Sequence, residues 1–292
     1  MPRGASPAAD PAAAVEGPGV TGASRCRAHG PGTPAPGVLF VLGLAVALSA
    51  GRAAAASAPG CGLDRVDARV RVTYVYDGDT VRLADGARLR LIGIDTPELH
   101  PDGGPPQPLA VAARTRLRTL LERHGYRLQL RFDRERRDRY GRLLAHAFLD
   151  NGQSLEGRLL AAGLGTALVV PPNLWHVGCY AAAEAGARRA GRGVWALPAY
   201  RPVAAGRLPA HARGFHLVTG RVVRVRRTRR SVWLDLDGRL AVRIARADLI
   251  YFVGHDLEAL TGREVLVRGW IHGYRGGRFL RVRYPTALVP SP

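Results

Sequence analysis

Five short runs in which apolar and polar residues alternate, all between positions 69 and 149, constrain the fold of this chain most strongly. In the first run, Val70, Val72 and Tyr74 fall on one side of a strand. In chain order the runs are Arg69–Tyr76, Thr80–Leu83, Leu89 with Leu91, Tyr126–Phe132 and Leu143–Leu149. A period of two residues is typical of a half-buried strand, and Asp85-Gly86 is a hairpin signal between the second and third runs. The sequence therefore predicts five strands.

Helical periodicity appears later than most of the strands. Apolar residues recur at helical spacing at Leu109, Ala113, Leu117, Leu120 and Leu121, which predicts an amphipathic helix. Two further helices are predicted at about Ser154–Ala162 and about His176–Ala190, the last ending near Gly191. Strands joined with a few packed helices indicate a mainly β, α+β fold.

The chain continues beyond this region into a second, more basic part. Pro198 to Pro209 reads as a linker, and five further strands are predicted after it: Leu217–Val225, Ser231–Leu236, Leu240–Ile244, Val265–Ile271 and Arg278–Tyr284. Residues 201–292 contain 18 arginines against six acidic residues, whereas residues 57–200 contain 21 against 15. The whole chain has a formal net charge of +20, and all 43 of its basic residues are arginine. Coding bias can explain the choice of arginine over lysine, but the sign of the charge indicates a polyanionic partner, since guanidinium groups fork onto phosphate.

The N-terminal 58 residues have a different character. Residues 1–36 are rich in Ala, Gly and Pro and are predicted to be disordered. The apolar run Val38 to Leu48 is too short to span a bilayer and is followed by small residues up to Ala58, which is typical of a cleavable signal peptide. We therefore expect export to the periplasm or the medium, with an uncleaved membrane anchor as the alternative.

The chain has three cysteines, and signal cleavage would remove Cys26. Cys61 and Cys179 then form one disulfide, or remain as two free thiols, or Cys61 is lipidated.

Three charged motifs carry the chemistry. They are Asp77-Gly78-Asp79-Thr80, the stretch from Arg90 to Asp95-Thr96-Pro97-Glu98, and Asp138-Arg139-Tyr140-Gly141-Arg142. Carboxylates suit a hard cation and a water, and guanidinium groups suit a phosphate. Hydrolysis of a phosphodiester needs this mixture, because the transition state accumulates negative charge that a metal and fixed cations must offset. The motifs therefore indicate a metal-dependent nuclease.

In this order, the motifs resemble those of the staphylococcal nuclease (thermonuclease) family, over about Val70 to Trp195. The resemblance implies that residues 66–198 form a five-stranded β-barrel of the OB type with packed helices. Outside the resemblance, composition and strand pattern predict a disordered N-terminus and signal peptide at residues 1–58 and a linker at residues 199–212. Residues 213–292 are predicted to form a basic β domain, for which an OB-like barrel is a candidate.

The resemblance also implies a calcium site. Asp79 and Asp95 would supply carboxylate oxygens and Thr96 its backbone carbonyl to Ca²⁺, while Asp77 would lie behind Asp79 and order it. Oxygen-only ligation is what a hard cation prefers.

For the reaction itself, the resemblance implies that Glu98 orients or deprotonates the attacking water. Arg90 and Arg142 would grip the phosphate and stabilise the pentacoordinate state, and Tyr140 would line the site. In an unbroken strand Arg90 and Asp95 would face opposite sides, so their convergence predicts a distortion of the strand near Gly93.

The chain departs from the family pattern at one place. Leu168 and Val170 stand where the type protein has two tyrosines near the terminal phosphate, which bears on affinity and end preference.

Together with the resemblance, these observations predict an exported, monomeric endonuclease without an obligate protein partner that hydrolyses DNA and RNA with little sequence specificity. The resemblance implies that it depends on calcium and leaves 3′-phosphate ends. Two alternatives are a non-catalytic nucleic-acid-binding protein on the same fold and a cell-surface structural protein with a vestigial nuclease domain. The arginine-rich run from Arg221 to Arg230, with Trp233, Tyr251, Trp270 and Tyr274, is either the solvated face of a sheet or a nucleic-acid contact.

Overall fold

The structure, a computed structural model, describes residues 61–209, 211–238, 240–274 and 277–291. The predicted disordered segment and signal peptide at residues 1–58 lie outside this range. No helix within the described part of the chain combines the length and the apolar character needed to cross a bilayer.

The first half of the described chain forms a closed five-stranded barrel. Its strands, with two short ones outside the barrel, are β1 (Ala68–Val75), β2 (Thr80–Leu83), β3 (Arg88–Leu91), β4 (Ile94–Asp95), β5 (Arg127–Arg131), β6 (Leu143–Phe148) and β7 (Thr166–Ala167). The barrel order is β1-β2-β3-β6-β5. The β3–β6 pair is parallel, and the other four pairs are antiparallel. This order confirms the predicted OB-type barrel.

Three helices pack on this barrel: α1 (Ala110–Arg123), α2 (Leu155–Ala161) and α3 (Val177–Arg189). Helix α1 buries Ala113, Leu117 and Leu121, the stripe that its sequence predicts. Helix α2 begins after Ser154, whose hydroxyl accepts a hydrogen bond from the Gly157 amide as an N-cap. A disulfide joins Cys61 to Cys179 in α3, which decides among the three alternatives that the sequence leaves open.

Strand β1 departs from the predicted alternation. Val72 is buried as expected, but the next buried residue is Val75, and Tyr74 is 43% exposed. The pairing of β1 with β2 shifts between Val72 and Tyr74. A bulge adds one residue to a strand, so the side chains beyond it exchange faces.

The second half of the described chain forms another barrel. Its strands are β8 (Val203–Ala204), β9 (Gly214–Arg227), β10 (Ser231–Leu236), β11 (Leu240–Ala245), β12 (Glu264–Tyr274), β13 (Gly277–Val282) and β14 (Leu288–Pro290). The order β9-β10-β11-β13-β12 closes through the pairing of β12 with β9, and β11–β13 is parallel. The second barrel thus repeats the strand order of the first, as an OB-like domain requires.

Within the predicted linker at residues 199–212, the described residues 203–205 pack against the second barrel. Val203 and Ala204 pair with β9, and Ala205 is buried against the second barrel. A small apolar cluster that includes Val194, Trp195 and Leu217 joins the end of the first half to β9.

Candidate active site

The turn between β1 and β2 is built by Asp77. One oxygen of its carboxylate, Oδ1, accepts hydrogen bonds from the Asp79 amide at 2.9 Å and the Thr80 amide at 2.6 Å. A side chain that binds the backbone two and three residues ahead stabilises a tight turn. Burial, and then the charge of Asp79, raise the pKa of Asp77 to about 7. Asp77 therefore fixes the backbone that presents Asp79.

Asp79 is buried, and both of its carboxylate oxygens accept hydrogen bonds. Its Oδ2 accepts hydrogen bonds from the Thr96 amide at 2.8 Å and the Thr96 hydroxyl at 3.0 Å. Its Oδ1 accepts one from the Thr80 hydroxyl at 3.0 Å. These contacts bring the Asp95-Thr96 segment against the start of β2, as the predicted metal site requires.

Arg90 lies between two of the predicted metal ligands. Its Nε is 3.1 Å from Asp79 Oδ1, and its Nη2 is 3.0 Å from Asp95 Oδ1. Its Nη1 donates to the carbonyl oxygens of Leu91 at 2.7 Å and Ile94 at 2.8 Å. Burial lowers the pKa of Arg90, but the carboxylates of Asp79 and Asp95 outweigh burial and raise it overall. The guanidinium is thus a fixed cation held by four oxygens.

A break at Gly93 lets Arg90 and Asp95 meet. Strand β3 ends at Leu91 and β4 begins at Ile94, and Gly93 between them has a φ of +87°. A Cβ at Gly93 would lie 2.4 Å from the ring of Tyr180, so both conformation and space demand glycine. The distortion predicted near Gly93 is confirmed.

Asp95 and Glu98 are the two acidic residues of the second motif. Burial raises the pKa of Asp95 to about 7, with Arg90 opposing and Asp79 adding to the shift. The pKa of Glu98 is also raised, by burial and then by Asp79. Gln107 binds the Glu98 backbone twice. Its side-chain Oε1 accepts a hydrogen bond from the Glu98 amide at 2.9 Å, and its backbone amide donates one to the Glu98 carbonyl at 2.9 Å. The role of Gln107 was not predicted, because its Pro/Gly-rich surroundings show no periodic pattern.

The third motif folds into a turn that presents Arg142. Asp138 Oδ2 binds Arg142 Nε at 2.7 Å, and its Oδ1 accepts the amides of Tyr140 at 2.9 Å and Arg142 at 3.0 Å. The spacing of four residues between Asp138 and Arg142 is a sequence signal for this pair. Tyr140 is 68% exposed, and its ring centre is 5.6 Å from the Arg142 guanidinium.

A cleft brings the two predicted phosphate-binding arginines together. A cavity of about 470 Å³ is lined by Arg90, Arg142, Tyr140 and Asp138. Leu168 and Val170, the residues at the two tyrosine positions, line the same cavity. Arg90 of the second motif and Asp138, Tyr140 and Arg142 of the third therefore line one opening. The first motif is connected to it through the contact of Asp79 with Arg90.

The donors at this site fit a hard cation. Within the described ranges, no three His, Cys, Asp or Glu side chains form a ready metal cluster. The predicted set is smaller: two carboxylates, Asp79 and Asp95, with the carbonyl of Thr96. The raised pKa values of Asp77 and Asp95 mark carboxylates that burial and mutual repulsion disfavour as anions. Added positive charge would relieve that repulsion, and an all-oxygen set with room for water suits calcium.

Comparison with known proteins gives consistent matches. The family model described as "Staphylococcal nuclease homologue" matches residues 88–197. A thermonuclease of Staphylococcus intermedius is 40% identical over 105 residues, which are 35% of this chain and 61% of the relative. Endonuclease YncB of Bacillus subtilis (strain 168) is 33% identical over 136 residues, 45% of this chain and 63% of the relative. A thermonuclease of Staphylococcus hyicus is 32% identical over 130 residues, 43% of this chain and 74% of the relative. The alignment thus covers less than two thirds of the length of the first two relatives.

Proposed function

Since this chain belongs to the staphylococcal nuclease family, we propose that it is a calcium-dependent endonuclease that hydrolyses DNA and RNA with little sequence specificity. The observation that carries the proposal is the position of Arg90, 3.1 Å from Asp79 and 3.0 Å from Asp95, in a cleft shared with Arg142. Two fixed cations beside oxygen ligands for a divalent cation are the groups that phosphodiester hydrolysis needs.

Each predicted site residue has a task in this reaction. Asp79, Asp95 and the carbonyl of Thr96 would hold the calcium ion, which when bound supplies Lewis-acid stabilisation of a phosphoryl oxygen. Asp77 keeps the Asp79 backbone in place through its two amide contacts. Glu98, with its raised pKa, orients the attacking water and accepts its proton.

Arg90 and Arg142 bind the phosphate from two sides and stabilise the negative charge that develops on it. Asp138 orients Arg142, and Tyr140 borders the phosphate site. Expulsion of the 5′ oxygen would leave a 3′-phosphate end. The rival function, non-catalytic nucleic-acid binding, is disfavoured by the complete set of ligands and arginines.

The proposal is tested by digestion of single-stranded and double-stranded DNA and RNA with calcium, magnesium or chelator. Arg90→Gln should lower kcat by about 10³-fold or more, as loss of an arginine at a phosphoryl transition state does. Arg88→Gln is the matched control, because Arg88 lies two residues earlier on β3 and is exposed. Equal activity of the two variants, or DNA binding without any cleavage by the folded wild type, would refute the enzyme assignment.

Calcium binding has a separate test. The melting temperature of wild-type protein should rise with calcium in the absence of substrate, because a ligand that binds only the folded state stabilises it. Asp79→Asn should abolish that rise.

We propose export and a two-domain organisation on related grounds. The apolar run Val38 to Leu48 and the disulfide between Cys61 and Cys179 support an oxidising destination. Residues 66–198 would form the catalytic domain and residues 213–292 a basic domain, in a monomer. The excess of arginine in the second domain supports nucleic-acid contacts there as well.

A further inference from the structure

The outer face of the second barrel carries aromatic and arginine side chains in two neighbouring rows across the strands. Cross-strand pairing puts Arg226, Trp233, Arg243 and Arg281 in the first row. The second row contains, in order across the strands, Arg224, Asp235, Ala241, Phe279 and His272. Leu234, Val242 and Leu280, their neighbours along the strands, are buried in the barrel core. Because side chains alternate along a strand, both rows point outward. We call Trp233, Phe279, His272 and the arginines around them the aromatic face.

The rings of the aromatic face form a continuous series. The ring centres of Trp233 and Phe279 are 5.6 Å apart, and those of Phe279 and His272 are 5.3 Å apart. The small side chain of Ala241 on the intervening strand leaves the first two rings free to approach each other. The Arg243 guanidinium lies 5.8 Å from the Trp233 ring and 6.0 Å from the Phe279 ring, at the outer limit of a cation–π contact. Arginine thus flanks the rings without covering them closely, a pattern that suits stacking of bases.

The charge of this face is complementary to a polyanion. Asp235 binds Arg224 at 3.0 Å and Arg226 at 2.6 Å, so one carboxylate serves two arginines. Arg224 remains 66% exposed, and Arg281 remains 45% exposed although it lies 3.5 Å from Asp248. With Arg243 and Arg283, five guanidinium groups stand against two carboxylates. The surplus provides contacts for phosphates.

Strand β13 connects the aromatic face to the catalytic cleft. Arg283, just beyond the end of β13, lines the 470 Å³ cavity together with Arg90 and Arg142. It also lines a neighbouring cavity of about 560 Å³ that contains Arg281 and His272. Residues 279, 281 and 283 share one side of the chain, and at about 3.3 Å per residue they extend over roughly 13 Å. A nucleic-acid strand that leaves the cleft in extended form therefore passes the guanidinium groups of Arg283 and Arg281 before it reaches the rings.

We propose that the aromatic face binds the single-stranded part of the substrate that emerges from the catalytic cleft, with bases stacked on Trp233, Phe279 and His272. The inference rests on the proposed function, since the strand it holds is the one being cleaved. Single strands are the occupant that the geometry selects, because a duplex hides the faces of its bases while a single strand exposes them. A barrel of this type covers about 4 to 16 nucleotides.

The test is binding of fluorescein-labelled oligo(dT)20 to the full chain in chelator, measured by anisotropy, beside a hairpin duplex with the same number of phosphates. Trp233→Leu and Phe279→Leu keep apolar bulk and remove the ring. Each should weaken oligo(dT)20 binding by about 5- to 150-fold, the range for loss of one stacked base, and change duplex binding much less. Tyr74→Leu is the matched control: this exposed ring lies 5.5 Å from the guanidinium groups of both Arg82 and Arg114, but belongs to the first barrel.

A second measurement separates this inference from the proposed function. With calcium, Trp233→Leu should raise KM for oligo(dT)20 and leave cleavage of a dinucleotide unchanged, because a dinucleotide held in the cleft is too short to reach Trp233. If folded Trp233→Leu and Phe279→Leu proteins bind oligo(dT)20 with wild-type affinity, the proposed role of the aromatic face is refuted, while the proposed nuclease function is unaffected. Ring-dependent binding by a wild-type chain that cleaves nothing would support the face and refute the nuclease.

Discussion

Replacing Gly93 by alanine tests whether the break between β3 and β4 is what assembles the site. The backbone of Gly93 has a φ of +87°, and an added Cβ would lie 2.4 Å from two ring carbons of Tyr180. That ring is buried, and its hydroxyl is 2.9 Å from Nδ1 of His146, which limits its freedom to move. Carbon atoms pack at about 3.5–4.0 Å, so the backbone or the ring must move by roughly 1 Å.

Two costs combine in Gly93→Ala. The left-handed conformation costs about 1–2 kcal/mol for a residue with a Cβ, and overpacking of a tight core costs about 1–3 kcal/mol. We therefore expect the free energy of unfolding to fall by about 2–5 kcal/mol. Asp95 follows two residues later, and a displacement of about 1 Å at a reacting group can lower kcat/KM by about 10²-fold.

Gly86→Ala is the matched control. Gly86 has the same φ of +87°, but an added Cβ there meets nothing within 4 Å. In Gly86→Ala the free energy of unfolding should fall only by the cost of the left-handed conformation, about 1–2 kcal/mol, and activity should remain at the wild-type level. Urea unfolding followed by circular dichroism, with m-values compared, measures both variants. Equal destabilisation of the two variants together with full activity of Gly93→Ala would refute the reasoning.

Three further predictions concern stability. Cys179→Ala removes a disulfide with a sequence separation of 118, and chain entropy predicts that the free energy of unfolding falls by about 5 kcal/mol. An unchanged urea midpoint of the wild-type protein with and without reductant would contradict this. Arg268→Met leaves the buried Glu184 carboxylate without its paired cation and should lower the free energy of unfolding by about 3–5 kcal/mol. Adding Glu184→Gln should restore a large part of this loss, which a double-mutant cycle measures. Burial raises the pKa of Glu156 from 4.5 to about 7, so the folded state binds this proton more tightly than the unfolded state. Its contribution to stability is therefore complete below pH 4.5 and falls by about 3 kcal/mol as the pH rises through 7; Glu156→Gln should remove this component, and an unchanged pH profile would show that the carboxyl is not responsible.

Much of the site was predictable because its residues cluster in short motifs. Asp77, Asp79 and Thr80 occupy one turn, and a turn is stabilised by contacts between near neighbours. The need for a break at Gly93 also followed from local geometry, because Arg90 and Asp95 have opposite parity along a strand. Gln107 and the bulge after Val72 were not predictable in this way. The first depends on a loop whose path is set by packing, and the second on the register with β2.

The longer strands, the helices, the charge and the chemical groups of the site could be predicted from the sequence, because periodicity, turn residues and motif spacing act over a few residues. The short strands β4, β7, β8 and β14 carry no such pattern. Tertiary structure alone decided that β9 and β12 pair to close a second barrel, that Cys61 meets Cys179, and that Arg283 borders the cleft of Arg90. These contacts join positions far apart in the chain, and only the packing of complete barrels selects them from the many pairings that local pattern allows.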